Sequence, residues 1–226
     1  MIEGHFGNDE PRWHASLAAV AALVLYISLP PKVTFGPVWI VPVLVLVILV
    51  PLSLLAPVRK HETGGQRIAA IALIAILNIF NVASVVLLIH AILHPGRHSN
   101  FGGGSLLLAG VQIWLTNILV FAMWYWEVDG GGPDARAHAP SAGEFKNAAF
   151  LFPQMAFGDM RMGCIDPDWK PLFMDYLFLA FTNASAFSPA DTFPLTRLGK
   201  ALMIAEAFIS FVTIGVIVSR AVGSLS

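Results

Sequence analysis

The chain has 226 residues, 57% of them hydrophobic and only 12% charged, with a net charge of -1 and a mean hydropathy of +0.73. A soluble domain carries about a quarter charged residues, so the composition points to lipid as solvent and gives no footing for nucleic-acid binding. The single cysteine, Cys164, excludes an intrachain disulfide and has no Cys/His metal spacing around it; it reads as a small apolar residue.

The opening segment "MIEGHFGNDEPRWHASL" has three acidic residues and one arginine ahead of the first apolar run. A secretory signal has a basic start and a small-residue cleavage site, so this run is expected to stay as an anchor. A helix crossing the hydrocarbon core needs roughly 20 apolar residues, and five such runs follow in chain order. They lie at about Trp13 to Leu29, Val38 to Pro57, Ile68 to Leu93, Ser105 to Trp126 and Thr196 to Val222. Trp13, Trp39 and the cluster Trp124, Tyr125, Trp126 mark span ends, as amphipathic rings at headgroup depth do. Inside the spans, Asn78, Asn81, His90 and Asn117 read as hydrogen-bonding glue between helices.

Between the fourth and fifth runs lies a polar stretch, Glu127 to Lys170. It opens "EVDGGGPDAR", whose three glycines and proline dictate a sharp irregular turn. Those glycines follow no strand, so Glu127 and Asp129 belong to a structural turn and not to a phosphate-binding loop. Next comes "PLFMDYLFLAF", Pro171 to Phe181, helical in pattern but too short to span, and therefore re-entrant. It leads into "TNASAFSPAD", Thr182 to Asp191. Irregular polar backbone at membrane depth survives only where protein buries it or it lines water. In a pore loop, such a segment supplies ligands that replace an ion's hydration shell.

Within the last run, Glu206, Ser210, Thr213, Ile217 and Arg220 recur at steps of four, three, four and three. They therefore share one helix face, which is either pore-lining or turned into the bundle. A carboxyl group so far inside a span is costly, about 2.5–3.5 kcal/mol on insertion scales, and marks the face as the one to explain. Arg197 and Lys200 at its start are placed to snorkel to headgroups. An enzyme would need converging catalytic groups, but His61, His94, His98 and His138 are scattered in loops and no HExxH or GxSxG is present.

The segment from Asp175 to Gly223 resembles the pore module of tetrameric potassium channels of the two-helix type. Asp191 and Pro194 keep the spacing of the aspartate and proline that follow the filter in that family. "GKALMIAEA" and "VIVSRAVG" resemble its inner helix. The chain also resembles a group of bacterial membrane proteins sharing the patterns seen here as "WYWEVDGGGP" and "FSPADTFPL", a likeness that implies no activity. The channel resemblance implies an all-α integral membrane protein with five transmembrane helices plus a re-entrant pore helix. Residues 1–95 would form an N-terminal three-helix region and 104–226 the pore module: outer helix 105–126, long turret 127–170, pore helix 171–182, filter-like loop 183–191 and inner helix 196–222.

It further implies passive cation permeation through a homotetramer in a bacterial inner membrane, with lipids and permeating ions as partners and no cofactor. The pathway residues would be Thr182, Asn183, Ser185, Ala186, Phe187, Ser188, Pro189, Ala190 and Asp191, with Glu206, Ser210, Thr213 and Ile217 on the pore-lining inner helix. Where the family has T-V-G-Y-G, this chain has Ala186 to Ala190. The filter glycines adopt angles that side chains resist, and Pro189 holds φ near −65°, so this is a filter of another kind. The alternative is a non-conducting or transporter-like protein on the same frame. Orientation cues diverge. The channel arrangement puts the N-terminus and turret outside, whereas Arg59, Lys60 and Arg67 against Lys32, Arg97 and Arg220 favour the reverse.

Overall fold

The computed structural model of the chain describes residues 13–37, 39–55, 64–94, 103–139, 145, 147–156, 169–188 and 191–223. Cys164, Pro189, Ala190, His61, His98 and the basic residues Arg59, Lys60, Arg97, Lys146 and Arg161 lie outside them. The described fold is helical, with α1 (Trp13–Ile27), α2 (Ile40–Leu55), α3 (Gly64–Leu93), α4 (Gly103–Val128), α5 (Pro133–Ala137), α6 (Pro153–Ala156), α7 (Phe173–Ala186) and α8 (Arg197–Gly223). Two short strands, β1 (Phe150–Leu151) and β2 (Phe193–Pro194), pair antiparallel.

Three helices, α3, α4 and α8, are long and apolar enough to cross a membrane. Among the described residues the first two apolar runs form helices of 15 and 16 residues, which rise about 22–24 Å.

Helix α4 is the centre of the bundle, with α1, α3, α7 and α8 all packed against it. Contacts along α4 set the direction of its neighbours. Near its C-terminal end, Arg67 of α3 reaches Glu127 at 3.5 Å, and Ala15 of α1 and Leu49 of α2 enclose a small cavity with Trp126. Towards its N-terminal end, Gln112 donates to Ser28 Oγ, just past the end of α1, at 2.8 Å, and Gly110 lies under Leu88 of α3. Helices α1 and α3 therefore run antiparallel to α4, and α2 runs back beside them.

The close of α4 is built around Asp129. Its Oδ1 accepts from the Ala149 and Phe150 amides at 2.6 and 3.3 Å, and its Oδ2 from Tyr176 Oη at 2.6 Å. Arg136 donates from one nitrogen to the Trp126 and Asp129 carbonyls at 2.7 and 2.6 Å, which caps the helix end. Its guanidinium lies 5.0 Å from the Tyr176 ring centroid. The intervening turn needs glycine. Gly130 has φ +59°, and a Cβ there would lie 2.7 Å from Arg136 Cγ. Asp129 is thus part of a folded turn, as expected, whereas Glu127 lies in the last turn of α4. The belt assignment needs correction at two rings. Trp13 and Trp39 are exposed, but Tyr125 and Trp126 are buried inside the bundle.

Candidate functional site

The inward face of α8 and the inward face of α7 meet against α4 in a chain of polar side chains. Asn183, on α7, donates its amide to Glu206 Oε2 at 2.7 Å and to the Met203 carbonyl at 3.0 Å, with Tyr125 Oη 3.4 Å away. Tyr125, on α4, donates its hydroxyl to the same Glu206 Oε2. One helical turn further along α8, Asn117 of α4 donates to Ser210 Oγ at 2.9 Å and lies 3.4 Å from the Glu206 carbonyl. Asn81 of α3 completes the chain by donating to Asn117 Oδ1 at 3.2 Å. Four helices are joined through these groups, and Glu206, Ser210, Thr213, Asn117 and Tyr125 are wholly buried.

The steps of four and three along α8 did define a single face. That face turns into the chain's own bundle and not onto an open pore wall. Glu206 and Ser210 bond to α4 and α7, while Thr213 is satisfied by the Ile209 carbonyl of its own helix at 2.7 Å. Ile217 is taken by packing: a Cβ added to Gly110 would lie 2.6 Å from Ile217 Cγ1, so α4 and α8 come closest there. The pore-lining expectation is therefore corrected for Glu206, Ser210 and Thr213, which one chain alone encloses, while Ile217 is half-buried against α4. The opposite face of α8 carries Ile204, Phe208, Phe211, Val218 and Val222, all exposed. Of the expected interhelical polar residues, Asn81 and Asn117 do bridge helices. His90 is exposed and stacks on His94, with ring centroids 4.5 Å apart.

Helix α7 extends a turn beyond the expected 171–182. Thr182, Asn183, Ser185 and Ala186 are helical and so not part of a filter-like loop. The hydroxyls of Thr182 and Ser185 explain this, for they bond back to the Phe178 and Phe181 carbonyls at 3.0 and 2.6 Å instead of opening the turn. The helix stops at Phe187, in the left-handed region with φ +55°, and its ring packs edge-on to Phe211 at 5.5 Å.

The path of α7 is the geometric fact that matters most. Its first turn lies beside the end of α4: Phe173 packs on Trp126, and Tyr176 bonds Asp129. Its last turn lies deep along α8, at Met203, Glu206 and Phe211. The chain is then back at its starting end by β2, where Phe193 faces Leu151 and the Leu195 amide donates to the Ala149 carbonyl at 2.8 Å. Helix α7 descends about 20 Å, and the six steps from Phe187 to Phe193 reach about 20 Å at full extension.

Asp191, exposed, comes back far enough to act on Asp175 in the first turn of α7. Burial pushes the Asp175 carboxyl up from its ordinary range. The Leu172 amide, 2.7 Å away, opposes that shift and the charge of Asp191 adds to it. Ser185, Ala186, Phe187, Ser188 and Asp191 are all exposed on the single chain, whereas Asn183 is buried. The group expected to act together is therefore split between exposed residues, at the end of α7 and beyond it, and an inward polar chain.

Tyr125 and Asp129 organise this region, yet in the sequence they read as a belt aromatic and a turn residue. The only local signal was that "YWEVD" places four hydrogen-bonding side chains at the end of an otherwise apolar helix. An open groove of about 400 Å³ between α1, α4 and α7 has an apolar lining, including Leu115, Ile118 and Phe178, and offers no chemistry. In comparisons with known proteins, no family model, curated protein or solved structure matches this chain.

Proposed function

We propose that the chain is the subunit of a cation-conducting membrane channel, in which α4, α7 and α8 serve as outer, pore and inner helix of a potassium-channel-like pore module. The observation that carries this reading is the path of α7, which enters and leaves at one end of the bundle while wedged between two long apolar helices. A segment with that path in a membrane is re-entrant. Its exposed Ser188 and Asp191 must then meet water or other copies of the chain. One chain supplies one such loop, so a pore requires several copies, and four is the number the channel likeness implies. With α1 and α2 as tilted or thinned spans, the protein crosses the inner membrane five times. Asp191, repeated around the axis, draws cations to the mouth, and the residues 186–190 in place of T-V-G-Y-G make the filter other than potassium-selective in design.

The test is flux from liposomes under a monovalent-cation gradient, paired with native mass measurement. Expected are a tetrameric mass and a flux that Asp191→Asn lowers several-fold at low ionic strength. A monomer, or flux indistinguishable from empty liposomes, overturns the reading.

A further inference from the structure

Glu206 is set apart from the other fully buried carboxyl groups of the described bundle. Glu127 faces Arg67 across 3.5 Å. Asp129 accepts from two backbone amides and a phenol, close to a buried guanidinium. Glu206 is wholly buried ten residues into α8, and among the described residues no lysine, arginine or histidine pairs with it.

The two oxygens of Glu206 are not equivalent. Oε2 accepts from Tyr125 Oη and Asn183 Nδ2, whereas Oε1 has no hydrogen-bond partner. A carboxylate in an apolar interior would spread its negative charge over both oxygens and leave one of them with nothing to offset it, an arrangement whose cost grows steeply with burial. A carboxylic acid fits the same surroundings. Its carbonyl oxygen, Oε2, takes the two donors, and its other oxygen carries the hydrogen. A metal cation fits poorly, because it would gather several oxygen ligands, and Asn183 turns an N–H, not its oxygen, toward the carboxyl group.

We infer that Glu206 is a proton-binding site, with the proton on Oε1, and that this proton allows α7 and α8 to stay in contact at Asn183. Tyr125 from α4 is the titratable group in contact with it; α7 contributes Asn183, and α3 reaches it only through Asn81 and Asn117. Removing the proton leaves a net charge facing dipoles alone. The interface must then admit water or part, and the part of it that can move is the last turn of α7. The inference does not depend on conduction and applies equally to a non-conducting protein.

The test is infrared spectroscopy of the full chain in lipid nanodiscs, with glutamate labelled by carbon-13. Expected at neutral pH is the carbonyl band of a neutral carboxylic acid. It is lost in Glu206→Gln and shifted to higher frequency in Tyr125→Phe, which removes one donor from the carbonyl oxygen. Raising the pH removes the band reversibly and speeds amide exchange over residues 180–187, and the glutamine variant shows no such pH response. Absence of an acid band from glutamate at neutral pH in the unmodified protein overturns the inference. So does a band that survives Glu206→Gln, or one that Tyr125→Phe leaves unmoved.

Discussion

Asn183 of α7 gives its side-chain amide to the Glu206 carboxyl group of α8 at 2.7 Å and, from the same nitrogen, to the Met203 carbonyl at 3.0 Å. One amide thereby joins a helix that dips partway into the bundle to a helix that runs its whole length. The pairing sets the depth and rotation of α7 relative to α8, and through them the position of Phe187 and the loop beyond.

Replacing Asn183 by alanine removes both bonds and leaves Glu206 with a single donor. A buried hydrogen-bonding group stripped of a partner costs about 1–3 kcal/mol, and a melt followed by circular dichroism in detergent should show that loss. Asn183→Asp should cost more than alanine, since it sets a second carboxyl group against the first. An aspartate variant as stable as the parent would show that the contact does not order α7.

Tyr125 separates hydrogen bonding from packing. Its ring is buried edge-on to Phe150 at 5.1 Å, while its hydroxyl serves Glu206. Tyr125→Phe keeps the ring and should lose about 1–3 kcal/mol. Tyr125→Ala also opens a cavity at the centre of the bundle and should lose about 3–5 kcal/mol. A Tyr125→Phe variant that melts with the parent would mean that the hydroxyl contributes nothing, and equal losses in the two variants would mean that the ring adds nothing beyond it.

Two glycines on the long helices give opposite expectations. At Gly110 an added Cβ lies 2.6 Å from Ile217 Cγ1, whereas at Gly215 nothing lies within 4 Å. Gly110→Ala should push α4 from α8 and destabilise by about 1–3 kcal/mol. Gly215→Ala should be neutral or stabilising by up to about 1 kcal/mol, through helix propensity. Combining Gly110→Ala with Ile217→Val should recover part of the loss; a melting temperature no better than that of the single variant would place the closest approach elsewhere.

Asp129→Ala should release β1 and the first turn of α7 together, because one carboxylate holds the Ala149 and Phe150 amides and the Tyr176 hydroxyl. Hydrogen bonds to a charged group contribute about 1.5–3 kcal/mol each. Amide exchange at residues 149–151 and 173–176 should rise in concert. Exchange that rises at only one of these segments would show that Asp129 does not link them.

The helices were legible in the sequence because apolar runs and prolines bound them, and the shared face of Glu206, Ser210 and Thr213 followed from helical spacing. What that face meets was not legible, since Tyr125 stands 81 residues before Glu206 and Asn117 93 before Ser210. The end of α7 was misjudged for a local reason. Thr182 and Ser185 are residue types that often open turns, and here their hydroxyls bond back along the helix. Only the backbone could reveal that choice. The β1–β2 ladder, two residues on each side, lies below any alternation pattern that a sequence could display.

The central position of α4 also bears on how the protein is made. Asn117, Tyr125 and Asp129 are synthesised before Ala149, Tyr176, Asn183, Glu206 and Ser210, the groups that satisfy them. If α4 crosses a bilayer, as its length and apolar composition allow, it enters carrying polar groups whose later partners do not yet exist. The polar groups already made when α4 emerges are Asn81 and Arg67 of α3 and Ser28 beyond α1, so Asn117, Glu127 and Gln112 have early partners whereas Tyr125 and Asp129 wait for later ones.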